Sequence, residues 1–109
     1  MAVNQERRKT ARFHCEGELT VELPFGRSRK TEARLVDFSD QGLCFLSQKA
    51  FKPGTDLMVR ISMESYRHLS ADADCQPRTM GLVTVKWCHD SIRQGGSVHK
   101  IGVMNLVPY

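Results

Sequence analysis

Alternation of apolar and polar residues is the feature that most constrains the fold of this 109-residue chain. From Phe13 to Leu23, apolar side chains recur mainly at every second position. Period two places each set on one face of a β-strand, so this segment predicts a half-buried strand with an acidic outer face. The apolar set is Phe13, Cys15, Leu19, Val21 and Leu23, and the polar set is Glu16, Glu18, Thr20 and Glu22.

Turn residues divide the rest of the chain into further short strands. The clearest turns are Pro24-Phe25-Gly26, Ser39 to Gly42, Lys52-Pro53-Gly54 and Gly95-Gly96. Between them we predict strands over residues 30–38, 43–47, 56–62, 78–89 and 98–107, with the second and third strands antiparallel. Six short strands with almost no helix predict an all-β fold, either a small antiparallel barrel or a sandwich.

Within these segments, the alternation also predicts what is buried. In the fifth strand, Val83, Val85 and Trp87 share the inward parity, which places Trp87 in the core. Cys15, Cys44 and Cys88 are predicted to be small buried side chains. Residues 63–77 are the least regular part, where Glu64 to Leu69 is compatible with one short helix and residues 72–77 form an exposed loop.

Length and composition predict one domain and limit the kinds of ligand and site that it can have. The net charge of +4 and the pI near 9.1 favour polyanionic partners without choosing among them. The four cysteines form no CxxC pair and the four histidines are scattered, so we expect no metal site and no cofactor. No nucleophile motif or carboxylate pair indicates an enzyme. No signal peptide or spanning apolar run is evident, so we expect a protein of the reducing bacterial cytoplasm with no membrane insertion.

The chain changes character at residue 12. Residues 1–12 are polar and mostly charged, which predicts a flexible basic N-terminal arm. Residues 13–109 form the predicted barrel domain. Arg8 and Arg12 lie four positions apart in the arm, so they share a face, and the arginine side chain matches phosphate and the guanine edge with two parallel hydrogen bonds.

The stretch from Asp37 to Gly42 complements the arm. Asp37 and Ser39 share one face of an extended chain, while Phe38 points to the opposite face and into the core. Gly42 permits a positive φ or a close approach by another group. A carboxylate at Asp37 suits the N1–H and amino donors of guanine. The two stretches together predict a site for a guanine nucleotide that carries phosphate.

This pair of motifs resembles the signature of PilZ domains, which are bacterial receptors for cyclic di-GMP. The resemblance rests on Arg8 and Arg12 followed by Asp37-x-Ser39-xx-Gly42, and Arg7, Val85-Lys86-Trp87 and Lys100-Ile101-Gly102-Val103 also look like the family. It implies a six-stranded barrel that binds cyclic di-GMP through these motif residues, with Arg7 adding a contact for a second ligand molecule. It also implies that ligand orders the arm and that a downstream protein partner reads the change.

Two other interpretations remain open from the sequence. One is a PilZ-like protein-interaction module that binds no nucleotide. The other is a small β-barrel that binds single-stranded nucleic acid, which needs exposed aromatic side chains for base stacking. Only 7% of residues are aromatic, and Phe13, Phe38 and Trp87 have inward parity, so the sequence favours no nucleic-acid partner.

Overall fold

The computed structural model describes residues 12–24, 29–69, 77, 79–93 and 96–106, and for residues 91–93 and 96 it describes the backbone. This part of the chain contains seven β-strands and no helix. The strands are β1 (Phe13–Glu22), β2 (Thr31–Phe38), β3 (Gly42–Ser47), β4 (Asp56–Ile61), β5 (Arg67–His68), β6 (Met80–Arg93) and β7 (Gly96–Asn105).

Six of the strands close into an antiparallel barrel. The order around the barrel is β1, β2, β3, β7, β6 and β4, and β4 pairs with β1 to complete the circuit. The two-residue β5 pairs with β1 at Cys15 and Glu16. The six-stranded barrel that the resemblance implies is confirmed, and closure leaves its long strands with a hydrogen-bonded neighbour on either side.

The barrel interior is filled by alternate side chains of the six long strands. The alternation predicted for β1 and β4 holds, because Leu19, Val21, Leu57, Val59 and Ile61 are all buried. Leu23 is different: β1 ends at Glu22, and Leu23 is 40% exposed. The expectation that Leu23 belongs to the inward set is therefore wrong, because the strand ends before its alternation reaches that residue.

Three β-bulges interrupt the alternation, in β1 between His14 and Gly17, in β2 between Leu35 and Asp37, and in β6 between Val85 and Trp87. A bulge places two residues opposite one, so the side chains beyond it change face.

The bulge in β6 decides where the tryptophan lies. Val85 opposes Val103, Trp87 opposes Gly102, and Lys86 is the extra residue. Cys88 consequently takes the inward position and packs against the core, whereas Trp87 faces outward and is only partly buried. The predicted core position of Trp87 is wrong for this reason.

The segment after β4 also departs from expectation. Glu64 to Leu69 forms no helix; Ser65 N donates to Ser62 O at 3.2 Å in a turn, and β5 follows. β5 lies beside the stretch of β1 that bulges away from β2, and it supplies backbone partners there. Tertiary strand pairing therefore overrides the local helix preference.

The cysteines are buried largely as predicted. Cys15 and Cys44 are each 2% exposed, and Cys88 is partly buried; all three are free thiols. Cys75 lies outside the described residues. In the same described part of the chain, no helix has the length and apolar character needed to cross a membrane.

Candidate functional site

The bulge in β2 turns Asp37 to the outer face of the barrel. Leu35 opposes Phe45 and Asp37 opposes Cys44, so Val36 is the extra residue. Phe38 then points inward, where it is 4% exposed and belongs to the core. The strand therefore has the predicted arrangement, with Asp37 on the outer face and Phe38 packed in the core behind it.

An ion pair joins the two sequence motifs across this outer face. Arg12 Nη1 donates to Asp37 Oδ1 at 2.8 Å, and the side chains are 39% and 12% exposed. His14 opposes Asp37 across the β1–β2 pair, so Arg12, two positions earlier, lies on the same face. Because the carboxylate is largely buried, removal of Arg12 would leave a charge without compensation, a loss larger than that of an exposed ion pair.

Aromatic packing holds the ion pair in place from inside the barrel. The rings of Phe13 and Phe38, the residues next to Arg12 and Asp37, lie 5.3 Å apart. Tyr66 meets Phe38 edge-on at 6.3 Å, and His68 meets Phe38 edge-on at 6.2 Å. The start of β1 is thereby fixed against the end of β2, which is why motifs 25 residues apart converge.

The turn after Asp37 is closed by its own polar groups. Ser39 N donates to Gly42 O at 2.8 Å, and Ser39 Oγ accepts a hydrogen bond from Gln41 N at 3.2 Å. Ser39 remains partly exposed, so its hydroxyl can serve the turn and still donate its proton to a ligand. The turn is also tied to the end of β7, where Asn105 N donates to Gln41 O at 2.7 Å and Asn105 Nδ2 donates to Asp40 O at 3.2 Å.

Gly42 is required by the packing of the barrel itself. It is buried at the start of β3, and a Cβ there would lie 2.0 Å from the carbonyl oxygen of Val103. The close approach expected at this glycine is thus made by the backbone of β7.

A row of side chains extends the site across the outer face. The row crosses four neighbouring strands: Asp37 on β2 opposes Cys44 on β3, and Cys44 opposes Gly102 on β7. Gly102 in turn opposes Trp87 on β6. The Trp87 indole lies over Gly102, where a Cβ would come within 2.2 Å of the ring, and it stacks on His89 with ring centroids 4.7 Å apart. The row forms a floor of small groups between the Asp37 carboxylate and an aromatic plane.

Two cationic side chains, Arg12 and Lys100, act electrostatically on Cys44 in the middle of this floor. Burial raises the pKa of the Cys44 thiol to about 11 and the charge of Asp37 adds to the rise, whereas Lys100 and Arg12 lower it. Lys100 lies two positions before Gly102 on the same face of β7. A thiol with this pKa stays protonated near neutrality, so Cys44 contributes shape rather than nucleophilic chemistry.

The structure therefore brings together Arg12, Asp37 and Ser39, and gives Gly42 a packing role beside them. Arg7 and Arg8 lie outside the described residues. Sequence reasoning missed the outward position of Trp87 and the floor at Cys44 and Gly102. Bulges carry no strong signal in single residues such as Val36 or Lys86, so counting by twos through them assigned Trp87 to the wrong face.

A separate groove of about 630 Å³ opens around the other ends of β1 and β2. Its lining includes Glu18, Glu32, Arg34 and Arg60, and none of the four predicted site residues that the structure describes lines it. Within the described ranges, no cluster of three or more His, Cys, Asp or Glu residues is arranged to hold a metal ion.

Comparison with known proteins agrees with this architecture. The family model described as "PilZ domain" matches residues 6–102. Among solved structures, the chain is similar to the PilZ domain with c-di-GMP of YcgR from Escherichia coli, at a TM-score of 0.60 and 14% sequence identity, over 93% of this chain and 79% of that one. No curated protein sequence matches significantly. Since the family model covers most of the chain, including the segment from Arg12 to Gly42, this chain is a member of the PilZ domain family.

Proposed function

We propose that this domain is a cyclic di-GMP receptor and not an enzyme. The observation that carries the proposal is the ion pair between Arg12 of the first motif and Asp37 of the second on the outer face of the barrel. Family membership and the similarity to the YcgR domain, a structure described with c-di-GMP, support the same ligand.

The groups around the ion pair suit a guanine nucleotide with phosphate. A carboxylate offers about four acceptor sites, so Asp37 can keep its bond to Arg12 and still accept the N1–H and amino protons of guanine. Arg12 and Arg8 contact phosphate oxygens and guanine, and Ser39 adds a hydroxyl. Arg7 adds a contact for a second stacked ligand molecule. The plane of Trp87, beyond the floor at Gly102, provides a surface on which a base can stack.

The site also lies where the arm meets the barrel, because Arg12 directly precedes β1. Ligand at Arg12 and Asp37 consequently acts on residues 1–12, and we propose that it orders this arm over the site. A partner protein in the cytoplasm that controls motility, exopolysaccharide synthesis, pili or virulence then reads the changed surface. Ordering costs chain entropy, so the ligand contacts must offset it.

The test is isothermal titration of the folded chain with cyclic di-GMP, with separate titrations of cyclic di-AMP and GTP as controls. We expect selective binding of cyclic di-GMP, and a stoichiometry of one or two ligands per chain decides the role of Arg7. Trp87 is the single tryptophan of the chain, so its fluorescence reports ligand on the floor independently of the heat.

Variants distinguish specific binding at the predicted site from nonspecific attraction of an anion to a basic protein. Arg12→Ala and Asp37→Asn should each weaken cyclic di-GMP binding more than tenfold, which is at least about 1.4 kcal/mol. Arg60→Ala removes an exposed charge from β4, away from the predicted site, and should leave affinity within twofold. Equal losses in all three variants would point to nonspecific attraction of an anion.

The two rival functions predict other results in the same assay. Salt-dependent binding of any single-stranded oligonucleotide, without preference for cyclic di-GMP, would favour nucleic-acid binding. No binding of any nucleotide by the folded chain would favour a protein-interaction module and overturn the receptor assignment.

A further inference from the structure

Four large apolar side chains lie on the outer face of β4, β6 and β7, and a fifth, Leu106, directly follows β7. Three of them are 39–52% exposed and two are partly buried. We call this set the methionine patch; its members are Met58, Met80, Leu82, Met104 and Leu106. Single exposed apolar residues are ordinary on a protein surface, whereas neighbouring ones form a continuous apolar surface that a partner can bury.

Strand register shows that the patch is contiguous. Met58 opposes Leu82 across β4 and β6, and Leu106 N donates to Leu82 O at 3.0 Å. Met80 lies two positions before Leu82 on β6, and Met104 on β7 opposes Thr84, two positions after Leu82, so both flank this row on the same face.

The size of the methionine patch limits what can cover it. It spans three strands and four residue steps along them, which is about 10 Å by about 14 Å. That footprint is far below the roughly 800 Å² per partner that a stable dimer buries, so the patch is too small to hold two copies of this chain together. It matches an α-helix, which is about 10 Å wide and needs roughly nine residues to cover 14 Å.

The closed barrel excludes the other common way of binding a peptide. β4, β6 and β7 each pair with a strand on both sides, so beneath the patch they offer no free edge for an added strand. A partner must therefore be recognised through side chains. Methionine suits this role because its flexible, polarizable side chain adapts to the shape of an incoming apolar face.

Charged residues of both signs border the patch. Arg60 opposes Met80, Glu22 opposes Met58, and Asp56 opposes Thr84, which in turn opposes Met104. An apolar centre with a polar rim is the arrangement of protein interfaces.

We propose that the methionine patch docks an amphipathic helix of about three turns from another protein. The helix presents apolar side chains at positions i, i+3 or i+4, and i+7, and polar residues of both signs along its flanks. This docking does not depend on the proposed ligand, because no member of the methionine patch belongs to the ligand-binding set.

The experiment is site-specific photo-crosslinking of the full chain in the cells that produce it. Benzoyl-phenylalanine replaces Met80 in one version and Met63, an exposed residue outside the patch, in the control. We expect the Met80 position to crosslink to a helical segment of another protein that has the stated spacing, and the Met63 position not to.

A synthetic peptide of the crosslinked segment then tests the patch directly. It should bind the natural chain, lose more than tenfold in affinity for Met80→Ser/Met104→Ser/Leu106→Ser, and bind Met63→Ser/Leu69→Ser within twofold. If the triple variant fails to fold, the single variant Met80→Glu replaces it. Crosslinking to a second copy of this chain, to a segment without the spacing, or no more than at Met63 would overturn the proposal, as would equal peptide affinity for patch and control variants.

Discussion

Gly42 shows how one motif residue can be required for a reason that its motif does not state. The Asp37-x-Ser39-xx-Gly42 pattern suggested that a ligand approaches the glycine, yet the group that approaches is the carbonyl of Val103 on β7. The glycine lets β3 and β7 pair closely, and that pairing supports the turn that carries Ser39. The motif is therefore partly a requirement of the barrel.

Gly42→Ala should destabilise the fold by about 2–3 kcal/mol, because the new methyl group meets backbone rather than a movable side chain. Urea unfolding followed by tryptophan fluorescence measures the change. Gly81→Ala is the matched control: nothing lies within 4 Å of a Cβ there, so its free energy of unfolding should change by less than about 0.5 kcal/mol. Weakened ligand binding in Gly42→Ala with unchanged stability would instead assign the glycine to the ligand.

At the scale of the strands, the sequence predicts where the strands lie better than it predicts which way side chains face beyond a bulge. Alternation located the six long strands and the inward residues of β4, because each apolar side chain there fits a regular pleat. The prediction that Asp37 and Phe38 lie on opposite faces is correct in spite of a bulge, because it depends only on their being neighbours in an extended chain. The inward prediction for Trp87 depends on unbroken alternation from Val83 through Lys86, and it is wrong because Lys86 is the extra residue of a bulge.

Because of the β6 bulge, we expect Val85→Ala to destabilise the fold more than Trp87→Ala does. Side-chain size alone would predict the opposite order. Val85→Ala removes two methyl groups from a 1% exposed position and should cost about 2 kcal/mol. Trp87→Ala removes a much larger side chain from the outer face and should cost less than Val85→Ala. Urea unfolding followed by circular dichroism compares them without relying on tryptophan. A greater loss for Trp87→Ala would mean that the indole stabilises the barrel as a core residue does.

For the whole molecule, the alternation left a barrel and a sandwich open, the resemblance to PilZ domains selected the closed barrel, and the two motifs predicted the convergence of Arg12 with Asp37. The sequence could not reveal β5, because a two-residue strand depends on the backbone that β1 leaves unpaired at its bulge. It also could not reveal the methionine patch, since Met58, Met80 and Leu106 come together only when β4, β6 and β7 are side by side. Features that arise from register need the structure, whereas features that arise from alternation do not.

The barrel as a whole also buries two thiols, which links its stability to alkaline pH. Burial raises the pKa of Cys15 to about 12 and that of Cys44 to about 11, and Asp37 contributes to both. In the unfolded chain both thiols titrate near 9. Between these values the native state holds protons that the unfolded state has lost, so the free energy of unfolding falls as pH rises.

We therefore expect the stability contributed by the two thiols to be fully present below pH 9 and to decline from pH 9 towards pH 11–12. The slope reaches at most about 1.4 kcal/mol per pH unit for each thiol. Urea unfolding at pH 8, 9, 10 and 11, followed by Trp87 fluorescence, measures it. The variant Cys15→Ala/Cys44→Ala should show a shallower decline than the natural chain. Parallel declines in the two proteins would place the alkaline sensitivity on other groups and show that these two thiols ionise without cost to the fold.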